Sequence, residues 1–133
     1  MTEAEARARF AASPVARLAT ATPDGRPHLV PIVFALHGGT IYHGVDAKPK
    51  RHTNLRRLAN LDANPHASVL VDHYDDDWDT LWWVRADGTP RDVDPAGSEG
   101  RAAVALLEER YPRFQLRGRL IAVDVTGWSW WTA

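Results

Sequence analysis

The chain contains no cysteine. A disulfide framework, a thiolate nucleophile and a cysteine-ligated zinc or iron–sulfur site are therefore excluded. The chain also lacks a run of about 18 apolar residues, which a membrane-spanning helix needs. Its N-terminal stretch, MTEAEARARF, mixes acids with bases and has no apolar segment, so a signal peptide is not expected. These absences predict a cytoplasmic protein that makes no contact with a membrane.

A large excess of charge of one sign is also missing. Sixteen Lys and Arg residues stand against seventeen Asp and Glu residues, which leaves a formal net charge of -1. Basic loops and six tryptophans would suit a small barrel that binds single-stranded nucleic acid by stacking, but the net charge argues against that alternative. We expect no nucleic-acid partner, and any anion-binding site must be local.

The common catalytic motifs are absent. The sequence has no GxSxG elbow, no Walker GxxxxGK, no GxGxxG and no HExxH pair. The acidic run DHYDDDWD offers oxygen ligands, but it lacks the glycine and terminal glutamate of a calcium loop, so a solvated loop is preferred and no metal site is predicted. An oxidoreductase whose cofactor carries the chemistry needs no catalytic triad, and no catalytic residue is assigned.

The segments that are present predict a single domain over residues 1–133 with a mainly β fold. Strand-like stretches are joined by short turns, which favours a small antiparallel barrel of six strands, although their order in the sheet does not follow from the pattern. Helices are expected at residues 2–12, from about 49 to 62, and at 95–111. The expected strands are VARLATAT, HLVPIVFAL, TIYHGV, ASVLVDHY, TLWWVRAD and GRLIAVDVTGWSWW. A turn is expected at DGTP, after the fifth strand, and one face of the last strand should be buried.

The stretch DAKPKRHTNL is the strongest chemical lead. Lys48, Lys50 and Arg51 lie between the end of a strand and the start of a helix, where backbone N–H groups and the helix dipole favour an anion. Arginine and lysine together suit a phosphate. The alternative is a solvated basic loop whose cations pair with Asp46 or Asp62.

Two further features point to a flat ligand or a partner. Pro31 cannot donate a ladder hydrogen bond, so its strand should have a bulge or a free edge, where a heterocycle could meet backbone groups, although a purely structural core strand is the alternative. Trp82 and Trp83 must face opposite sides of one strand, and Trp131 must face away from its neighbours at 128 and 130. One tryptophan of the adjacent pair should then be in the core, and the other should lie at a surface, an interface or a ligand.

Three ordered segments resemble a known family: VARLATATPDGRPHLVPIVFAL, IYHGVDAKPKRHTNLRRLANLDANPHASVLVDHY and DDDWDTLWWVRADG. They are similar to the flavin- and deazaflavin-binding split β-barrels related to pyridoxamine 5′-phosphate oxidase. The likeness is greatest to their small actinobacterial branch that uses coenzyme F420, and it extends over roughly residues 15–85. It implies a six-stranded antiparallel split β-barrel with short flanking helices, and a homodimer with cofactor sites between the subunits.

The resemblance also implies a set of cofactor-binding residues. The phosphate anchor falls on Lys48, Lys50 and Arg51, followed by Asn54. The ring-contacting strand falls on Val30, Pro31 and Ile32, and the end of the next strand on His43, Gly44 and Val45. Trp82 and Arg85, with Trp83, would form the partner-facing wall or contact the cofactor tail.

The activity implied is hydride transfer between F420 and a small unsaturated organic substrate. Two alternatives remain open: an FMN-dependent oxidoreductase of the same fold, and a non-catalytic protein that binds F420 or a flavin. Residues expected to bind pyridoxal phosphate are not recognisable, so pyridoxamine oxidation is not expected. The sequence does not identify the substrate.

Overall fold

A computed structural model describes residues 1–46 and 56–133, and these residues form a seven-stranded sheet flanked by three helices. The predicted phosphate-binding residues Lys48, Lys50, Arg51 and Asn54 lie outside the described residues. In chain order the elements are α1 (Glu3–Ala12), β1 (Ala16–Ala21), β2 (Pro27–Ile32), β3 (Ala35–His37), β4 (Thr40–Gly44), α2 (Arg56–Ala63), β5 (Ala67–His73), β6 (Trp82–Val93), α3 (Ser98–Arg110) and β7 (Leu120–Thr132).

The first helix begins where its capping signal predicts. The backbone N–H of Glu5 donates to Thr2 Oγ1 at 3.2 Å, and the N–H of Thr2 donates to Glu5 Oε2 at 3.1 Å. This reciprocal pair satisfies two of the donors that a helix start leaves without partners. The helix ends before Ser13 and Pro14, as the sequence predicts.

All pairings in the sheet are antiparallel, in the order β2-β1-β5-β6-β7-β4-β3. This confirms the predicted fold class, but the described chain has seven strands where six were predicted. The apolar stretch HLVPIVFAL forms parts of two strands, β2 and β3, because Val33 and Phe34 in its middle belong to neither strand. These two consecutive strands lie at opposite edges of the sheet.

The prediction of a turn at DGTP is wrong. Strand β6 continues through it, and a register shift at Asp87 and Gly88 accommodates the irregularity. A Cβ on Gly88 would overlap the backbone of the neighbouring strand, so glycine allows the two strands to approach here. Pro90 is tolerated because β5 ends its pairing with β6 at Gly88, so the proline has a described partner strand on one side only.

The final strand is buried on both faces at its start, although its alternation predicted burial on one face. Ile121 and Val123 belong to the main core, which α1 and α2 help to close, whereas Leu120 and Ala122 pack in a second cluster. Helix α3 covers that second side through residues such as Leu107. Both faces of β7 therefore meet apolar partners.

Two ion clusters attach helices to the sheet. Arg91 on β6 donates to Glu99 of α3 at 2.6 and 2.8 Å and to Asp124 of β7 at 2.7 Å. Arg119 bridges Asp62 of α2 and Asp92 of β6, each at 2.7 Å. All of these side chains are partly exposed, so each pair adds little to stability. None of the described helices has the length and hydropathy to cross a membrane.

Candidate functional site

A cavity of about 280 Å³, here called the rim cavity, opens where β2 and β4 end. These strands are separated by four others in the sheet order, so only the curling of the sheet brings their ends together. The cavity is lined by Val15, Pro31, Ile32, Val33, Gly44, Asp46 and Arg57.

The β2 wall of the rim cavity is an edge strand. Among the described strands, β2 pairs only with β1, and Pro31 lies opposite Arg17 in that ladder. Alternate residues of an edge strand direct their N–H and C=O groups away from the neighbouring strand. This arrangement confirms the predicted free edge at Pro31. It also provides hydrogen-bonding groups beside an apolar surface.

The β4 wall is bare backbone at Gly44. A Cβ there would come within 2.7 Å of Leu116 Cδ1 and 3.3 Å of Phe114 Cζ, both in the cluster under α3. The space into which a side chain at position 44 would project is therefore already occupied by other side chains of the protein. A ligand in the rim cavity would meet the peptide plane on this side.

Arg57 places a cation in the rim cavity. Its side chain is partly buried, and its buried Nε has no hydrogen-bond partner among the described residues. Burial lowers the pKa of Arg57, and the nearby charge of Asp46 partly opposes this shift. No salt bridge joins Arg57 to a carboxylate in the described ranges. An arginine remains protonated in proteins, so Arg57 places a positive charge beside Asp46 in the rim cavity, and its Nε–H has no acceptor among the described residues.

Sequence analysis did not select Arg57. Helix α2 buries Leu58 and Leu61, and Arg57 is one turn before Leu61 on the same face. That spacing was the signal available in the sequence. Val15, Val33 and Asp46 were also missed as lining residues. Val15 and Val33 adjoin the paired residues Ala16 and Ile32, whereas Asp46 follows β4 and reaches β2 only because the sheet curls.

The predicted ring-contacting residues separate into two groups. Pro31, Ile32 and Gly44 meet in the rim cavity. Val30 and Val45 instead pack against the main core as partly buried side chains. Val45 also exchanges backbone hydrogen bonds with the segment before β7, accepting from Arg117 N at 2.7 Å.

His43 lies inside the main core rather than in the rim cavity. It is 1% exposed, and neither ring nitrogen has a hydrogen-bond partner within residues 1–46 and 56–133. Burial, with a smaller effect from the charge of Arg57, lowers the pKa of His43 to about 3. The imidazole is thus neutral throughout the physiological range.

Trp82 and Arg85 do not reach the rim cavity of their own subunit. Trp82 packs against the main core with the guanidinium of Arg9 over its ring at 5.3 Å. Arg85 projects from the opposite side of β6, where its guanidinium lies 5.9 Å from the ring of Trp83. The prediction that the two adjacent tryptophans face opposite sides is confirmed.

The side of the sheet that carries Trp83 and Arg85, here called the outer face, is rich in apolar groups. Leu29 on β2 is 67% exposed and Trp131 on β7 is 42% exposed. Trp128 and Trp130 pack toward the core, which confirms the prediction that Trp131 faces away from them. A shallow cavity of about 500 Å³ lies on this face. It is lined by Arg17, Ala19, Leu29, Ser68, Leu70, Asp72, Tyr74, Trp83 and Arg85.

Solved structures of other proteins have a fold similar to that of this chain. A structure of a conserved hypothetical protein from Mycobacterium tuberculosis is similar with a TM-score of 0.76 and 26% identity, over 99% of this chain and 85% of that one. A FAD-binding protein from Mesorhizobium loti gives 0.74 and 20%, over 98% and 92%. HutZ, the heme storage protein from Vibrio cholerae, gives 0.75 and 16%, over 98% and 93%.

These likenesses show that the fold is the split barrel with which such proteins are built. A search of curated proteins gave no match. The family model described as pyridoxamine 5′-phosphate oxidase matches residues 2–129, which is nearly the whole chain. The chain belongs to the pyridoxamine 5′-phosphate oxidase family.

Proposed function

We propose that this protein is an oxidoreductase that binds coenzyme F420 with the flat ring of the cofactor in the rim cavity. The observation that carries the proposal is the partly buried Arg57, which shares the cavity with Asp46 and with a wall of apolar side chains and backbone. A deazaflavin ring offers an apolar surface and a row of carbonyl oxygens along one edge. Arg57 would donate to that edge, and the free edge of β2 would supply further hydrogen bonds.

The size of the rim cavity supports binding of a ring rather than of a whole cofactor. Drug-sized ligands occupy pockets of about 300–1,000 Å³, and the rim cavity is about 280 Å³. The phosphate and tail must then extend outside it. Asp46 and Arg57, the described residues on either side of the predicted phosphate anchor at Lys48, Lys50, Arg51 and Asn54, both line the rim cavity, which supports the proposal that the anchor serves this site.

When bound, F420 would supply hydride-transfer chemistry toward a small unsaturated organic substrate. The chain would bind and orient the ring, exclude water with Val15, Val33 and Pro31, and hold a positive charge beside it through Arg57. A fixed cation in a site that excludes water stabilises negative charge that develops on a ring. FMN offers a similar ring edge, and the FAD-binding relative makes a flavin the alternative cofactor.

We also propose a homodimer formed through the outer face. Leu29 and Pro31 point to the same side of β2, and Pro31 also lines the rim cavity. A second subunit seated over Leu29 and the shallow cavity would therefore extend to the mouth of the rim cavity. It would bury an apolar surface of the kind that rarely stays exposed, and Trp83 and Arg85 would then face the partner.

The cofactor proposal is tested by titrating the intrinsic tryptophan fluorescence with F420 and FMN in parallel. Selective quenching by F420 supports the proposal, whereas selective quenching by FMN moves the protein to the flavin alternative. Quenching by neither refutes both. Arg57→Gln should raise the Kd about 10-fold or more, the effect of losing hydrogen bonds from a charged donor. Arg56→Gln removes the same charge from the exposed neighbouring position and should leave the Kd unchanged.

Catalysis needs a separate assay. Reduced F420 is mixed with the protein and a panel of enones, quinones and nitro compounds, and reoxidation is followed by absorbance. Turnover above the rate without protein supports the oxidoreductase. Tight binding without turnover of any compound would instead indicate a non-catalytic cofactor-binding protein.

The dimer is tested by light scattering. The wild-type protein should have twice the mass of the chain, and Leu29→Asp should shift it toward the monomer because a charge is placed in the buried interface. Ala105→Asp adds the same charge to the exposed side of α3 and should leave the mass unchanged. A monomeric wild-type protein at micromolar concentration would contradict the proposal.

A further inference from the structure

Two side chains at the C-terminal end of α3 contact two segments that are far apart in the sequence. Arg110 Nη1 donates to the carbonyl of Phe34 at 3.1 Å, and Nη2 donates to the carbonyl of Ser13. The Tyr111 hydroxyl lies 3.0 Å from the carbonyls of both Pro14 and Phe34, and it accepts from Phe34 N at 3.3 Å. The end of α3 thus joins the α1–β1 link to the break between β2 and β3.

The contacts of Arg110 are made to backbone. In the ranges that the structure describes, the guanidinium forms no salt bridge with a carboxylate. It lies 5.0 Å from the ring centre of Phe34 and 5.3 Å from that of Tyr111. A planar fork that contacts two rings and donates to two carbonyls has little freedom, so its carbonyl partners are held at a fixed separation.

Neither joined segment belongs to a strand. Residues 13–15 precede β1, and residues 33 and 34 separate β2 from β3. Ladder hydrogen bonds therefore do not set the positions of these backbones. The neighbours of the joined residues, Val15 and Val33, are two walls of the rim cavity.

We propose that Arg110 and Tyr111 are positioning residues that hold Val15 and Val33 at the spacing a flat ring requires. The inference rests on the proposed cofactor site and adds a determinant that does not touch the cofactor. Without the Tyr111 hydroxyl, Phe34 N–H and the Pro14 carbonyl lose their shared partner, and the two walls become free to separate. Ring binding weakens as a result, because part of the binding free energy is then spent on ordering the walls.

The experiment compares Tyr111→Phe with Tyr42→Phe. Tyr111→Phe deletes a hydroxyl carried at the C-terminal end of α3, and Tyr42→Phe deletes one that donates to Glu99 at the other end of the helix, at 2.7 Å. Tyr42 does not line the rim cavity. Each protein is titrated with F420 and FMN, and with lumiflavin and the tail-free F420 chromophore as ring-only probes. For the cofactor that the wild type binds, Tyr111→Phe should raise the Kd of the matching ring-only probe about 5-fold or more, and it should shift the absorption maximum of the bound ring. Tyr42→Phe should change neither.

Equal Kd values and spectra for the two variants would overturn the inference. Hydrogen exchange at the amides of Val15, Val33 and Phe34 tests the positioning role of Tyr111 without a ligand. It therefore tests this role even if the wild type binds neither cofactor and the proposed function fails. Tyr111→Phe should speed exchange at these three amides, whereas Tyr42→Phe should not. Unchanged exchange in Tyr111→Phe would refute the positioning role independently of the cofactor.

Discussion

Acidification should destabilise this protein through His43, which is enclosed in the main core at 1% exposure. Burial, with a smaller contribution from the charge of Arg57, lowers the pKa of the folded imidazole from 6.5 to about 3. In the unfolded chain the same group regains its usual pKa. Between these two values only the unfolded state binds a proton, so the free energy of unfolding falls as the pH falls.

The size of this effect follows from proton linkage. At about pH 7 roughly three quarters of the unfolded chains carry a neutral His43, and the contribution is only about 0.2 kcal/mol. At about pH 5 nearly all of them are protonated while the folded protein is not, and the slope is about 1.4 kcal/mol per pH unit well below the unfolded pKa. The site should therefore remove about 2 kcal/mol of stability between about pH 7 and about pH 5.

The assay is urea unfolding of the wild type and His43→Leu at both pH values, at one protein concentration. Leucine fills a similar volume without a titrating group, so the variant should lose about 2 kcal/mol less than the wild type on acidification. It should also be at least as stable near neutral pH, since no polar nitrogen is left buried without a partner. His37→Leu, at an exposed position, should retain the wild-type pH dependence. If His43→Leu and the wild type respond to pH in parallel, the histidine accepts a proton in place and the reasoning from burial is wrong.

Three further predictions concern stability and are measured by the same unfolding assay. Gly100→Ala should cost about 1–3 kcal/mol, because its Cβ would overlap a backbone carbonyl oxygen, whereas Gly97→Ala, with 3.5 Å to its nearest neighbour, should cost less; equal losses would contradict this. Asn60→Ala should cost about 1–3 kcal/mol by leaving the buried Thr20 hydroxyl without its 3.0 Å partner, and adding Thr20→Val should recover part of that loss. Arg119→Gln should cost less than about 1 kcal/mol, and the difference should shrink with added salt because its carboxylate partners are exposed; a larger loss that salt does not change would point to packing instead.

Local signals account for the parts of the fold that the sequence predicted. The capping box at Thr2 and the apolar spacing of α3 act within one element, so the helices could be located from the chain alone. The break at Val33 and Phe34 has no such signal, because every residue around it is apolar. Its backbone groups find partners in Arg110 and Tyr111, much later in the chain, and only the folded structure brings them there.

The candidate site also combines residues that local sequence signals could identify with residues that only the packing of the folded chain reveals. Pro31 could be selected because a missing N–H is a local property, and the structure places it at the rim cavity. Arg57 could not be distinguished from Arg56 by residue type, since burial of one and exposure of the other depend on how α2 packs. His43 was assigned to the cofactor by the family resemblance alone, and the strand pattern could not correct this because it does not distinguish the interior of a curled sheet from its open end. The basic loop at residues 48–51 stays a prediction.

The glycine at position 44 also limits how this site can change during evolution. Any side chain there would project toward Leu116 and Phe114, not toward a ligand, so mutation at this position offers packing defects and no new ligand contact. The β2 wall is constrained as well, because Ile32 contributes to the main core. Among the lining residues outside the strands, Asp46 and Arg57 carry the charges of the site and Val33 packs against the second cluster. Val15, at 38% exposure, is the one of these four positions where a new side chain would meet the fewest constraints. Divergence among homologous barrels toward different ring systems is therefore expected to concentrate at this position, and exchange of its residue between relatives is the direct route to altered ligand preference.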